Sequence, residues 1–130
     1  MCTTSVVHRL SDSPLFATCD RQERHRVDRI GTQVRRPAGA VLAREGTLAR
    51  QFIVVLDGIA TATHPDGCGE VAAGDAIGAR EIIRRTPHRA TIVAETPVVL
   101  EVLSLREFAA LVEIMPTLAY GWALHASARS

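Results

Sequence analysis

The chain of 130 residues contains no lysine and no asparagine; all fifteen of its basic residues are arginine, a bias that reflects GC-rich coding rather than chemistry. Fourteen acidic residues balance them to a formal net charge of +1 at pH 7. No general attraction toward nucleic acid or an anionic membrane follows from that balance, so any attraction must be local. Cysteine is sparse as well. Cys2, Cys19 and Cys68 lie far apart with no CxxC pair, which excludes a zinc ribbon or dithiol motif and fits free thiols in a reducing compartment. The start MCTTSVVHRL lacks the apolar core of a signal peptide, and charges or prolines interrupt every apolar run before it could span a bilayer. A cytoplasmic protein is expected, with no membrane and no direct nucleic-acid contact. There is no acidic or glycine-serine tract to suggest disorder, and no internal repeat.

What is present suits one packed domain over residues 1–130, with a hydrophobic fraction of 47% against 22% charge. Residues 11–31 read as helical. Ser13 with Pro14 suits a helix start, Asp20 with Glu23 has the form of a capping box, and Gly31 is a stop. Val27 and Ile30 then face inward, and most of the arginines around them face water. From residue 33 to 104 short β-branched runs alternate with glycine and proline, the texture of a small antiparallel β-roll. Strands are expected over 33–36, 41–43, 51–57, 59–63, 70–72, 88–95 and 98–104, with a hairpin at His64-Pro65-Asp66-Gly67. Ser104 with Glu107 forms a second capping-box pattern and opens C-terminal helices over 105–128, interrupted at Pro116. The fold class expected is α+β, a jelly-roll-like, double-stranded β-helix flanked by N- and C-terminal helices.

Late in the roll stands GDAIGAREIIRRTPHRATIVA, residues 74–94, where a glycine turn, a short basic helix over 78–85 and a β-type run follow one another. Backbone N–H groups at the start of a helix lack intrahelical partners and sit at its positive end, so this stretch suits an anion. Arg80 and Arg84 share a face of the helix.

Taken with PAGAVLAREG at 37–46 and FIVVLDGIATA at 52–62, this stretch resembles the cyclic-nucleotide-binding domain shared by catabolite-activator-type regulators, cyclic-nucleotide-dependent kinases and gated channels. The resemblance runs from about Leu10 to about Leu118, with glycines 39, 46, 58, 67, 74 and 78 in the family order. It implies a regulatory β-roll whose phosphate-binding cassette comprises Gly78, Ala79, Arg80, Glu81, His88, Arg89, Ala90 and Thr91. Within it Gly78, Pro87, Ala90 and Thr91 match the family frame, whereas two positions depart from it. Ala79 replaces the glutamate whose carboxylate accepts from the ribose 2′-hydroxyl, and His88 replaces the arginine whose fork pairs with the cyclic phosphate. Each lost charged hydrogen bond costs about 1.5 to 3 kcal/mol, roughly ten- to a hundredfold in affinity. Neither neighbour is expected to compensate. Arg89 alternates with His88 along a strand and points to the other face, and Glu81 lies about 200 degrees around the helix from Ala79.

The resemblance therefore implies a stand-alone regulatory domain with weak, altered or lost binding of cyclic AMP or cyclic GMP, or binding of another phosphorylated small molecule. No cofactor is expected. The alternative is a ligand-free interaction or dimerisation module. The sequence ends at Ser130, so output is expected through a separate effector chain, with a homodimer through the C-terminal helix, where Tyr120 and Trp122 suit packing or dimer contact. A cupin-type metal-dependent enzyme would share the roll but needs clustered ligands. The histidines at 8, 25, 64, 88 and 125 are scattered, the nearest grouping being His64, Asp66 and Cys68 in the hairpin, and no GxSxG elbow is present. A non-enzyme is expected.

Overall fold

The computed structural model describes residues 20–116. The expected helical residues 11–19, and the final segment with Tyr120 and Trp122, lie outside the described residues. Helix α1 (Arg21–Val27) starts at the Asp20 capping box, in which the Glu23 N–H donates to Asp20 Oδ1 at 2.8 Å and the Asp20 N–H donates to Glu23 Oε1 at 3.0 Å. Eight strands follow, namely β1 (Thr32–Arg36), β2 (Val41–Ala43), β3 (Gln51–Asp57), β4 (Ile59–His64), β5 (Gly67–Ala72), β6 (Ala76–Ile77), β7 (Thr91–Ala94) and β8 (Val98–Ser104). Helix α2 (Ala79–Arg84) is inserted between β6 and β7, and α3 (Leu105–Ile114) starts at the Ser104–Glu107 capping box.

The strands form two antiparallel four-stranded sheets, one ordered β1-β8-β3-β6 and the other β2-β7-β4-β5. Strand β3 explains the arrangement. Its run Phe52-Ile53-Val54-Val55-Leu56 is buried throughout, because the first sheet is covered on both faces. Ile53 and Val55 pack between the sheets with Ala60, Ala62, Val71, Ile92 and Leu100. Phe52, Val54 and Leu56 point the other way, into a second core with Val27 of α1 and Phe108 and Leu111 of α3. The Phe52 and Phe108 rings meet at a centroid distance of 4.9 Å, tilted by 45°.

Three strand expectations are revised. β6 is a two-residue strand pairing Ile77 with Ile53 and Ala76 with Val54, too short for period-2 alternation to reveal. β5 starts at Gly67 rather than residue 70, because the two-residue Pro65-Asp66 turn sets its register from His64↔Gly67 onward. β7 begins at Thr91 rather than at residue 88, because the preceding backbone pairs with a loop, as described next.

Candidate functional site

The cassette begins where β6 hands over to α2. Gly78 caps the helix with φ of 96°, and a Cβ there would lie 2.8 Å from the Gln51 carbonyl oxygen, so the chain needs glycine on two counts. The helix closes at Arg85, whose φ of 57° makes it the lone left-handed non-glycine residue among those described. The Thr86 N–H donates to the Glu81 carbonyl oxygen at 3.0 Å and turns the chain outward.

Beyond the turn, the 86–91 segment is clamped to the 44–48 loop. Pro87 bridges Leu48, the His88 N–H donates to the Thr47 carbonyl oxygen at 2.8 Å, and the Gly46 N–H donates to the His88 carbonyl oxygen at 2.9 Å. Thr91 continues the clamp, its Oγ1 accepting from the Glu45 N–H at 3.1 Å. Ala90 is buried in the core between the sheets, while Arg89 is exposed. His88 and Arg89 are thus loop residues, and the expected strand alternation between them does not apply. Two cassette residues, Ala90 and Thr91, serve packing and loop anchoring.

Beside this clamp lies a cavity of about 410 Å³, lined by Val41, Leu42, Ala43, Arg44, Thr47, Leu48, Arg50, Gln51, Ile53 and His88. Its volume suits a small ligand. Of the eight cassette residues expected from the sequence, His88 alone lines it. The residues around it that sequence reasoning missed come mostly from the 41–50 stretch, where the neighbouring Arg44, Thr47 and Arg50 were the available signal.

Helix α2 departs most from expectation. Ala79 and Glu81 are both buried, although they lie on different sides of the helix, because this short helix is covered on more than one side. Glu81 is 2% exposed, and neither of its carboxyl oxygens has a hydrogen-bond partner. Its charge acts on the His88 imidazole. Gly78 abuts the same ring, the position of its missing Cβ being 3.8 Å from His88 Cε1. Burial pushes the His88 imidazole below its ordinary value of 6.5, and Glu81 opposes that shift. Arg80, on the same helix, has a buried Nε without a partner, and Arg84 is exposed.

The site is thus a two-sheet roll interrupted by a short helix, with a cavity of small-ligand size at the clamp that follows. The chain belongs to the cyclic nucleotide-binding domain family, whose model matches residues 33–114, and domains of that family are regulatory. It is 35% identical over 83 residues to a cyclic nucleotide-gated potassium channel of Rhizobium etli, an alignment covering 64% of this chain and 23% of the channel. Among solved structures, PKAR CBD2 with Sp-2Cl-cAMPS bound superimposes with a TM-score of 0.78 at 22% identity, over 86% of this chain and 77% of that one. The regulatory subunit of a cAMP-independent protein kinase A from Trypanosoma brucei, as a triple variant bound to cAMP in its A site, gives 0.76 at 20% identity, over 90% and 45%. In that variant a glutamate is replaced by alanine, a threonine seven residues on by arginine, and the following valine by alanine. The chain thus spans about a quarter of the channel and under half of the trypanosome subunit. Among the described residues no helix is long and apolar enough to cross a membrane, and no group of three or more histidine, cysteine, aspartate or glutamate side chains converges as a metal site.

Proposed function

We propose that this chain is a regulatory module of the cyclic nucleotide-binding fold whose cassette has changed its ligand preference, binding cyclic AMP and cyclic GMP weakly or not at all. The observation that carries this reading is the buried, unpartnered carboxyl of Glu81 beside His88, where the resemblance places an arginine on the cyclic phosphate. A cyclic phosphate there loses the arginine fork and the Ala79 position offers its ribose no acceptor. It also meets a negative charge. Like charges repel, and more strongly the less water separates them. The same spacing of seven residues separates Glu81 from His88 and the two residues replaced by alanine and arginine in the cAMP-bound trypanosome variant. As a regulatory module, it passes its ligand state on to a separate effector.

Calorimetric titration with cyclic AMP and cyclic GMP tests this. Dissociation constants weaker than roughly 100 μM are expected for the native chain, and micromolar binding of either would overturn the reading. A variant carrying Ala79→Glu, Glu81→Ala and His88→Arg should gain binding.

A further inference from the structure

The cavity beside the clamp carries a charge that the chain as a whole does not. Fifteen arginines are nearly balanced by fourteen acidic residues in the sequence. Among the described residues that line the cavity, however, Arg44 and Arg50 stand with no aspartate or glutamate. Neither guanidinium makes a hydrogen bond or ion pair with the described residues. The loop that carries them is anchored. The Thr47 N–H and Oγ1 donate to the Arg44 carbonyl oxygen at 3.2 and 2.7 Å, and Arg50 directly precedes β3, whose first residue pairs with Ser104. Between the two arginines the loop is tied to the 86–91 segment by the clamp. Two forked donors on a fixed backbone suit an oxyanion and need little backbone ordering to hold it. His88 contributes no comparable charge at neutral pH, since burial lowers its pKa below 6.5, and the Glu81 charge that acts on it opposes an anion there.

The rest of the wall is apolar and partly open to water. Of the four large hydrophobic side chains exposed among the described residues, two, Val41 at 42% and Leu48 at 58%, line this one cavity, and the buried Ile53 continues the surface inward. Exposed apolar side chains scattered singly are ordinary, but apolar surface gathered in one concavity beside convergent polar groups marks a ligand site. Resting on the altered-preference reading above, we infer that the cavity takes a small organic anion with an apolar body, its oxyanion headgroup on Arg44 and Arg50 and its body along Val41, Leu48 and Ile53. The anion is held from the loop between β2 and β3 and not by the cassette. Such a ligand needs neither a ribose acceptor nor a cassette arginine, the two groups that Ala79 and His88 replace.

Calorimetry on the full chain tests this with naphthoate and naphthyl phosphate as probes, naphthalene methanol as the uncharged body, acetate and inorganic phosphate as bare headgroups, and cyclic AMP. At least one of the two naphthyl anions should bind with a dissociation constant below about 100 μM, and which of them binds identifies the headgroup. Naphthalene methanol, acetate and inorganic phosphate should each bind at least about tenfold more weakly. Arg44→Gln and Arg50→Gln should each weaken the bound anion by roughly tenfold. Both arginines are exposed, so neither replacement threatens the fold, and circular dichroism checks that. Naphthalene methanol or a bare headgroup binding as tightly as the naphthyl anions, no binding of either anion to the folded chain, or an unchanged affinity in either arginine variant overturns this inference. Cyclic AMP staying weak in those cases leaves the altered-preference reading standing, whereas micromolar cyclic AMP binding overturns both.

Discussion

Among the described residues two glutamates are buried, Glu101 and Glu81, and their surroundings differ. Glu101 sits on β8 facing the helices, with Asp28 and Glu107 nearby; burial first, and those two acids second, raise its carboxyl from an ordinary 4.5 to about 6. Its charge is a structural liability in a layer made by α1, α3 and the sheet. Glu81 lies on α2, where its charge acts on the His88 imidazole. The first is resisted by like charges within a packing layer, whereas the second is buried with neither carboxyl oxygen hydrogen-bonded. Burial is common to both carboxyls; their charged neighbours differ.

The sharpest way to break the cassette end without touching the helical end is Gly78→Ala. Its Cβ meets the Gln51 carbonyl at 2.8 Å in a left-handed backbone, and a loss of about 3 kcal/mol is expected in urea unfolding. An unchanged midpoint would show that α2 can start without that glycine. Next in size, Glu81→Ala with His88→Arg is expected to tighten cyclic AMP binding by roughly a hundredfold, since it removes a repulsion and adds a charged fork. Titration of the double variant measures this, and an unaltered affinity would place the discrimination elsewhere in the cavity.

At the helical end the expected effect is smaller and opposite in sign. The native state holds the Glu101 proton more tightly than the unfolded chain, so its contribution is favourable below about pH 4.5 and is lost as pH rises toward about 6. Glu101→Gln should therefore stabilise the protein at pH 7 by on the order of 1 kcal/mol and do little at pH 4. Parallel melts at the two pH values decide it, and equal shifts at both would remove the electrostatic account. The smallest effect concerns His88, whose depressed pKa means that the unfolded chain binds its proton first; its contribution to stability is therefore lost as pH falls below about 6.5. Because Glu81 raises that pKa, Glu81→Gln should lower the His88 midpoint further in an NMR titration. A rise would mean that the two side chains do not interact.

Much of the scaffold is legible in the sequence. The two capping boxes, at Asp20–Glu23 and Ser104–Glu107, form as their spacing implies, and β2, β3 and β8 fall on the expected residues. These features are local, depending on a cap three residues away or on β-branched runs between turns. β6 escaped because two residues carry no pattern, and β7 was expected three residues too early because loop pairing at Gly46 and Thr47 looks like strand continuation in one dimension. The site was legible in frame but not in content. Gly78, Ala79 and His88 were identified from the motif, yet Arg44, Thr47 and Arg50 entered only once β2 and its following loop folded against the cassette.

By itself, then, the sequence determined the family frame, the glycine that starts α2 and the two departures at Ala79 and His88, because each is written in contiguous residues with a fixed spacing. The place of Glu81 was decided by tertiary structure. Helical rotation sends it away from Ala79, but a short helix covered on more than one side buries both residues, and only the fold brings that unpaired carboxyl to His88. Which side of a helix faces protein depends on what packs around it, and that is a property of the assembled sheets and not of the periodicity.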